Sequence, residues 1–518
     1  FKDTSYEILL LTGSMTKKAK LYGTSAKVEQ MRVSLPAEVA SNFELKAHIE
    51  LSTTRSHSKE ITVEFEENDL VALQFSDNTE WIGHPEDIQE IYDERIVKKR
   101  SSTNDDYIFE TQISTQADSR GAVKQTVIKF FSIFKPNKSV AATAMTELGI
   151  KYDQKTQPNP GLYAIDENFK RIPFKENKEV QHYLVLIHGT LSTSVDAFGQ
   201  LQESDAWSKL RGKYKNNVMA FDHYTLSESP LKNALDFLEA CPEKCSLDIM
   251  SHSRGGLVAD ILAKCDYNNN ENHEVGFSKN EQDIFLKKKE KAVAAGENGL
   301  QEYDLIQEIN KLALKKQITI GKIVRVAAPA SGTTILSQRV DHFFNLLLNT
   351  ISLAFGIKNP LYGIVKSFLL ELISQKDDPD VLAGLNSMIP GSLFQKMLNA
   401  ADTTVESDLY NIIGDAEVGG VTFESLKVIL ANLFYRAAND LVVDTSSMVH
   451  GVKRLDGFYT FISQDKDTNH FNYFKNKNSC DAILEALVST EKTVKSVYTK
   501  EVYANGQRGI LLDKLSLS

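Results

Sequence analysis

The apolar run Leu247-Asp248-Ile249-Met250 passes without a break into Ser251-His252-Ser253-Arg254-Gly255-Gly256 and on into Leu257-Val258-Ala259-Asp260-Ile261-Leu262. This stretch limits what the chain can fold into more than any other. Its pattern reads as a strand, a tight turn and a helix. A serine at the tip of such a turn projects its hydroxyl away from backbone and neighbours. The strand and helix then pass so close that the residues two before and two after it must be small. Ser251 and Gly255 fill those places around Ser253. The first is more often a glycine, but a serine still fits sterically. Ser253 is therefore the candidate nucleophile.

A strand and helix of this kind need a sheet to sit in, and the chain after about residue 160 supplies one. Tyr183-Leu184-Val185-Leu186-Ile187 is a continuous apolar run, as expected of a strand covered on both faces in a parallel sheet. Val218 to Phe221, Leu247 to Met250, Ile323 to Ala328 and Leu409 to Ile413 repeat the pattern, with helical segments such as Leu231 to Ala240 between them. Such alternation predicts an α/β domain over 161–518. Two insertions interrupt it. Residues 266–316 turn from polar to helical and charged. Residues 338–405 read as apolar helices over Val340 to Phe355, Leu361 to Ser374 and Val381 to Ala401, either a lid over a greasy site or further helical core. Ahead of this domain, residues 1–150 carry short alternating runs at Ile8 to Leu11, Ala47 to Leu51, Ile61 to Phe65 and Leu70 to Phe75, a β-rich accessory domain. The polar stretch 151–160 reads as a linker.

Composition excludes several function classes. A net charge of −10 over 518 residues offers no basic field for phosphate backbones, which argues against nucleic acid. The run Lys287-Lys288-Lys289-Glu290-Lys291 reads as one solvated helix face. Four cysteines, with Cys241 and Cys245 lacking a second pair at zinc-site spacing, suit free thiols in a reducing cytosol and so a cytoplasmic protein. The chain opens on Phe1 rather than methionine, as a fragment or a processed product would, and Phe1-Lys2-Asp3-Thr4 has no signal-peptide pattern. The longest apolar stretch, Phe343 to Ile357, is interrupted by Asn345, Asn349, Thr350 and Ser352 and is too short to span a bilayer.

A serine hydroxyl is a weak nucleophile at neutral pH, so Ser253 needs a base, and the base needs an orienting carboxylate. On sheets that carry such a turn the chain order is Ser, then Asp or Glu, then His. His470, in the polar loop Asp467-Thr468-Asn469-His470-Phe471, is the favoured base and His450 the alternative. For the acid, Asp440 stands at the mouth of the short apolar run Leu441-Val442-Val443, read as a strand; Asp444 and Asp415 are alternatives. An oxyanion requires two backbone donors. One should be Arg254, next to the nucleophile. The other should come from His188-Gly189-Thr190-Leu191, where Thr190 or Leu191 supplies the N–H and His188 is a packed structural residue.

From about 180 to 480 the chain resembles the α/β-hydrolase superfamily in its lipase/esterase-like branch. The resemblance rests on the His-Gly-Thr loop, Ser251 to Val258, Ala328-Pro329-Ala330-Ser331-Gly332-Thr333, Asn439 to Val443 and Asn469-His470-Phe471. More narrowly, Phe221 to Ser227, Arg339-Val340-Asp341 and Asp69 to Leu73 resemble a little-characterised bacterial group often found beside caspase-like peptidase modules. The resemblance implies an α/β-hydrolase fold with helical cap insertions, a Ser253–Asp440–His470 triad, and hydrolysis of an ester or lipid acyl bond without metal or organic cofactor. It further implies an acyl ester or lipid substrate, transient membrane contact through the cap, and a protein partner such as a caspase-like module. Two other readings stay open: a serine peptidase, and a silent hydrolase-fold module in a bacterial defence or signalling assembly.

Overall fold

The structure, a computed structural model, describes residues 17–23, 25–28, 41–52, 59–66, 68–76, 78–94, 107–110, 112–114, 125–138, 144–176, 181–269, 275–296, 301–375, 382–400, 402–414, 440–463, 468–489 and 497–502. The run read as a strand at Ile8 to Leu11 and the alternative acid Asp415 lie outside them. The chain divides into two compact units, Phe1–Ala142 and Thr143–Ser518.

The first unit is β-rich, as its alternating runs predict. One sheet sets Lys17–Gly23 between Lys59–Phe65 and Tyr107–Glu110. A larger sheet is built on the long strand Gln125–Pro136, flanked by Phe43–Ser52 and Leu70–Phe75. Leu73, Phe75, Trp81 and Phe131 of this sheet, and Phe109 of the smaller one, are wholly buried.

The second unit carries a nine-stranded sheet. Its strands are β1 Gly161–Ile165, β2 Arg171–Pro173, β3 His182–Ile187, β4 Val218–Asp222, β5 Ser246–His252, β6 Thr319–Val326, β7 Asp408–Gly414, β8 Phe458–Ser463 and β9 Thr499–Glu501. They lie in the order β2-β1-β4-β3-β5-β6-β7-β8-β9. Strands β3 to β8 pair in parallel, and β1, β2 and β9 pair antiparallel at the edges. This is the α/β-hydrolase fold. The order reverses at β4-β3-β5, and ligands of open α/β sheets sit beyond the carboxyl ends of strands at such a point.

The helices of this unit include α1 Met145–Thr156, α2 Pro230–Ala240, α3 Gly255–Lys264, α4 Glu302–Lys316, α5 Val340–Phe355, α6 Pro360–Ile373 and α7 Lys477–Leu487. Helix α3, the continuation of the serine turn, is buried along its whole length. Its one carboxylate, Asp260, is paired with Arg325 and with Arg454 at 2.9 Å, so the charge enters the core already compensated. Asp248, the polar member of the β5 run, is similarly satisfied by Tyr214 at 2.6 Å, Lys322 N–H at 2.8 Å and His182 at 3.0 Å. The lysine run of the first insertion lies on a helix with Lys287, Lys288 and Lys291 exposed, the solvated face expected.

Three expectations are corrected. The stretch 151–160 is no linker, because helix α1 runs to Thr156 and belongs to the second unit. Its polar sequence conceals a buried anchor: the Asp153 carboxylate accepts the backbone N–H groups of Thr225 at 2.8 Å, Leu226 at 3.0 Å and Ser227 at 2.7 Å. The run Leu441-Val442-Val443 forms turns rather than a strand, since its amides bond back to Asp440. The third apolar segment of the second insertion divides into two short helices, Ala383–Asn386 and Leu393–Leu398, around Pro390 and Gly391. Proline cannot continue a helix, and Gly391 takes a positive φ of 77°.

The second insertion is core as much as covering. Helix α5 is buried from His342 to Ser352, including the polar residues that interrupt its apolar run. They are accommodated by bonding back to carbonyls one turn earlier: Asn345 to Asp341 at 3.0 Å, Asn349 to Asn345 at 2.9 Å and Thr350 to Leu346 at 2.8 Å. Among the described residues no helix is long and apolar enough to cross a membrane.

Candidate active site

Strand β5 ends at His252, and the next residue turns the chain sharply. Ser253 has φ 53°, in the left-handed region that residues other than glycine rarely adopt. Its conformation is held by its own N–H, which donates to Val326 O at 2.9 Å, and by its carbonyl, which accepts from Gly256 N at 2.9 Å. The small residues around it are sterically obligatory. A Cβ on Gly255 would stand 2.3 Å from Ile187 O and 2.5 Å from His188 O, backbone atoms of β3 and its following loop. One on Gly256 would stand 2.4 Å from Ala328 Cβ, and one on Gly189 2.6 Å from Ser253 Cβ. Ser251 fits where the motif usually has glycine, wholly buried, its hydroxyl without a hydrogen-bond partner among the described residues.

A hydrogen-bonded chain runs from this turn. Ser253 Oγ lies 2.9 Å from His470 Nε2, and His470 Nδ1 lies 2.8 Å from Asp440 Oδ2. The three residues are 7%, 2% and 0% exposed, so the chain works in a medium that strengthens each of its links. Asp440 is fixed by its own turn: its Oδ1 accepts Val442 N–H at 3.2 Å and Val443 N–H at 2.9 Å. Leu441 provides the positive φ of 79° that the turn requires. The loop bearing His470 is tied to the same residue, with His470 N–H donating to Asp440 O at 3.2 Å.

The alternative candidates are engaged elsewhere. Asp444 accepts from Thr334 N–H at 3.0 Å and from the Thr334 hydroxyl, serving the start of a short helix, and burial raises its pKa. His450 contributes its carbonyl to the buried Arg325 guanidinium and takes no part in the chain. His188 is a packed residue as expected. Its Nδ1 lies 2.9 Å from Gly189 O, its Nε2 accepts His223 N–H at 3.1 Å, and its ring stacks on His223 with centroids 4.2 Å apart. Burial pushes the pKa of both imidazoles down, which keeps them neutral.

Of the three amides proposed for an oxyanion, one is removed. Leu191 N–H already donates to Thr225 Oγ1 at 3.0 Å. The N–H groups of Arg254 and Thr190 donate to no protein acceptor among the described residues. The Arg254 side chain has a separate task. Fully buried, it reaches Asn233 Oδ1 at 2.9 Å, Glu228 O and Gly384 O, tying the serine turn to helix α2 and to the second insertion. That insertion also reaches the site directly, with Met388 Sδ 3.9 Å from the Thr190 hydroxyl and Phe355 packed edge-on to Phe471 at 6.0 Å.

Sequence reasoning missed three supporting residues. The His252 ring tilts against that of His470 at 4.9 Å, and its Nε2 donates to His470 O at 2.7 Å. Burial, reinforced by His470, pushes His252 down to about 3. It is therefore a neutral donor. Tyr473 donates its hydroxyl to Asp440 Oδ2 at 3.0 Å. Asp153 holds the loop whose Thr225 hydroxyl receives Leu191 N–H, so a helix far away in sequence steadies the His-Gly-Thr loop. His252 stands inside the serine motif and was within reach. Tyr473 and Asp153 belong to no pattern.

A family profile described as a domain of unknown function (DUF7379) matches residues 154–278 and 298–488, more than half of the chain. The chain belongs to that family. Among curated proteins none matches it. Similar solved structures include the mature lipase BlEst2 of Bacillus licheniformis, at 14% identity over 64% of this chain and 99% of that one, TM-score 0.31. EstA from Clostridium botulinum is similar at 11% identity over 67% and 98% of the two chains, TM-score 0.35. Lipase 1 from Pelosinus fermentans is similar at 12% identity over 58% and 95%, TM-score 0.36.

Proposed function

We propose that this member of the family is a serine hydrolase that cleaves a carboxylic ester or lipid acyl bond through an acyl-enzyme. The observation that carries the reading is the unbroken Ser253–His470–Asp440 chain, with links of 2.9 and 2.8 Å, mounted on a left-handed serine turn. Ser253 Oγ attacks the acyl carbonyl while His470 Nε2 takes its proton. Asp440 holds the imidazole with Nδ1 protonated and stabilises the imidazolium. The tetrahedral oxyanion is received by the N–H groups of Arg254 and Thr190. Donors so placed are each worth about 3–4 kcal/mol of transition-state stabilisation. Collapse expels the alcohol, which leaves with the proton from His470. Water then repeats the sequence to release the acid and restore Ser253.

The apolar side chains Met388 and Phe355, brought to the site by the second insertion, support an acyl rather than a charged substrate. Labelling by a fluorophosphonate probe and turnover of a p-nitrophenyl ester series test the reading. Wild type should label and turn over acyl esters, and Ser253→Ala and His470→Ala should lose labelling and about 10⁶-fold in kcat. Labelling that persists in Ser253→Ala, or a wild type silent in both assays with and without detergent, refutes it. Turnover of peptide substrates in preference to esters would keep the machinery and overturn the substrate class.

A further inference from the structure

Asp440 has more hydrogen-bond donors than a residue that merely orients an imidazole needs. Two backbone amides occupy Oδ1, while Oδ2 accepts both His470 Nδ1–H at 2.8 Å and the Tyr473 hydroxyl at 3.0 Å. Both Asp440 and Tyr473 are fully buried. The end of β7 is shaped to admit this second donor. A Cβ on Gly414 would stand 2.0 Å from Tyr473 Oη and 3.1 Å from Asp440 Cβ, so any side chain there would fall on the Tyr473–Asp440 contact.

We propose that Tyr473 is a positioning residue that sets the basicity of His470 by sharing the oxygen of Asp440 on which the imidazole rests. The catalytic meaning of this role rests on the proposed Ser253–His470–Asp440 triad. Its physical basis is charge. A hydroxyl donated to Oδ2 disperses the carboxylate's negative charge, so the neighbouring imidazolium is stabilised less than it would be by a bare carboxylate. Without the hydroxyl, the carboxylate holds the proton on His470 more tightly, and the neutral base appears only at higher pH. Among the described residues, the other groups facing this pair are the neutral His252 ring over His470, the Ser253 hydroxyl on Nε2, and Asp444, whose charge is felt by Asp440 from the same loop. None of them touches Oδ2.

Tyr473→Phe in the full chain keeps the ring and removes only the donor. Two readouts are compared with wild type: the acid limb of kcat/KM for a p-nitrophenyl ester, and the NMR titration of the His470 ring in histidine-labelled protein, assigned by its loss in His470→Asn. Both midpoints should move to higher pH in Tyr473→Phe. Gly414→Ala, which crowds the same hydroxyl, should shift them the same way, with no further shift in the double variant. Unmoved midpoints in Tyr473→Phe overturn the inference, and if they accompany a lowered Tm the tyrosine is a packing residue alone. The titration needs no turnover. A wild type that neither labels nor hydrolyses esters therefore refutes the proposed function while the NMR result still decides the role of Tyr473.

Discussion

The two halves of the site are held by different physics. On one side, the serine turn is enforced by backbone sterics: Ser253 at φ 53° is locked between β5 and α3, and a Cβ on Gly255 would stand 2.3 Å from the backbone of β3. On the other, Asp440 and His470 sit on loops beyond the ends of β7 and β8. They are placed by side-chain hydrogen bonds, from the Asp440 turn amides, Tyr473 and His252. A steric device tolerates almost no change at its few critical atoms, and those atoms are close together in sequence. A polar network spreads its work over many residues that are distant in sequence, so it fails in smaller steps. The first kind of site leaves a motif and the second does not.

This contrast can be broken in several places. The largest effect should come from Asp440→Asn, which preserves shape but offers His470 the wrong partner. By analogy with triad enzymes kcat should fall about 10⁴-fold. Asp444→Asn, four residues on, should leave kcat within about twofold, because that carboxylate is engaged by Thr334 and not by His470. Steady-state kinetics on both variants decides which acid the loop presents, and equal losses would dissolve the distinction. Gly255→Ala attacks the steric side. With backbone carbonyls 2.3 and 2.5 Å from the new methyl, nothing flexible can yield, and urea denaturation should show a loss of about 3 kcal/mol or more.

Asp153→Asn probes whether the polar rule extends to the loop supporting Thr190. An amide NH₂ group would then face backbone donors on Thr225, Leu226 or Ser227, costing about 2 kcal/mol of stability. Labelling by the probe should slow as well, and a change confined to stability would show that the Thr225 to Leu191 link does not reach the site.

The last effect is spread over a pH range. His252, buried in the folded protein with a pKa of about 3, returns to its ordinary 6.5 on unfolding. Between those values the unfolded chain binds the extra proton, so stability rises with pH through this window and is lost as pH falls below about 6.5. His188 and His223, also lowered, add in the same direction. Replacing His252 by Gln should reduce the loss between pH 6.5 and 4 by up to about 1.4 kcal/mol per pH unit, read from denaturation midpoints. An unchanged slope would mean that the ring is already protonated in the native state.

Much of the second unit was legible in the chain. Continuous apolar runs announced β3 to β7, and the step from Met250 to Gly256 announced the serine turn, because burial on both faces and close strand–helix passage each restrict residue choice locally. Segments whose burial depends on distant partners were misread. The polar stretch 151–160 hides the buried Tyr152 and Asp153 of α1, since only the loop at Thr225 reveals what Asp153 is for. Leu441-Val442-Val443 looks like a strand until the Asp440 side chain takes its amides. Leu191 seemed equal to Thr190 as a donor until Thr225 engaged it.

By itself, then, the sequence determined the sheet, the turn and the place of Ser253 at its tip, because strand burial and backbone clashes act between residues a few positions apart. It favoured His470 over His450 and Asp440 over Asp444 and Asp415, but had no means of showing which of them meet. That choice fell to tertiary structure, which alone brings residues 253, 440, 470 and 473 within hydrogen-bonding distance. A hydrogen bond forms over about 3 Å of space whatever the separation along the chain, so no local pattern records it.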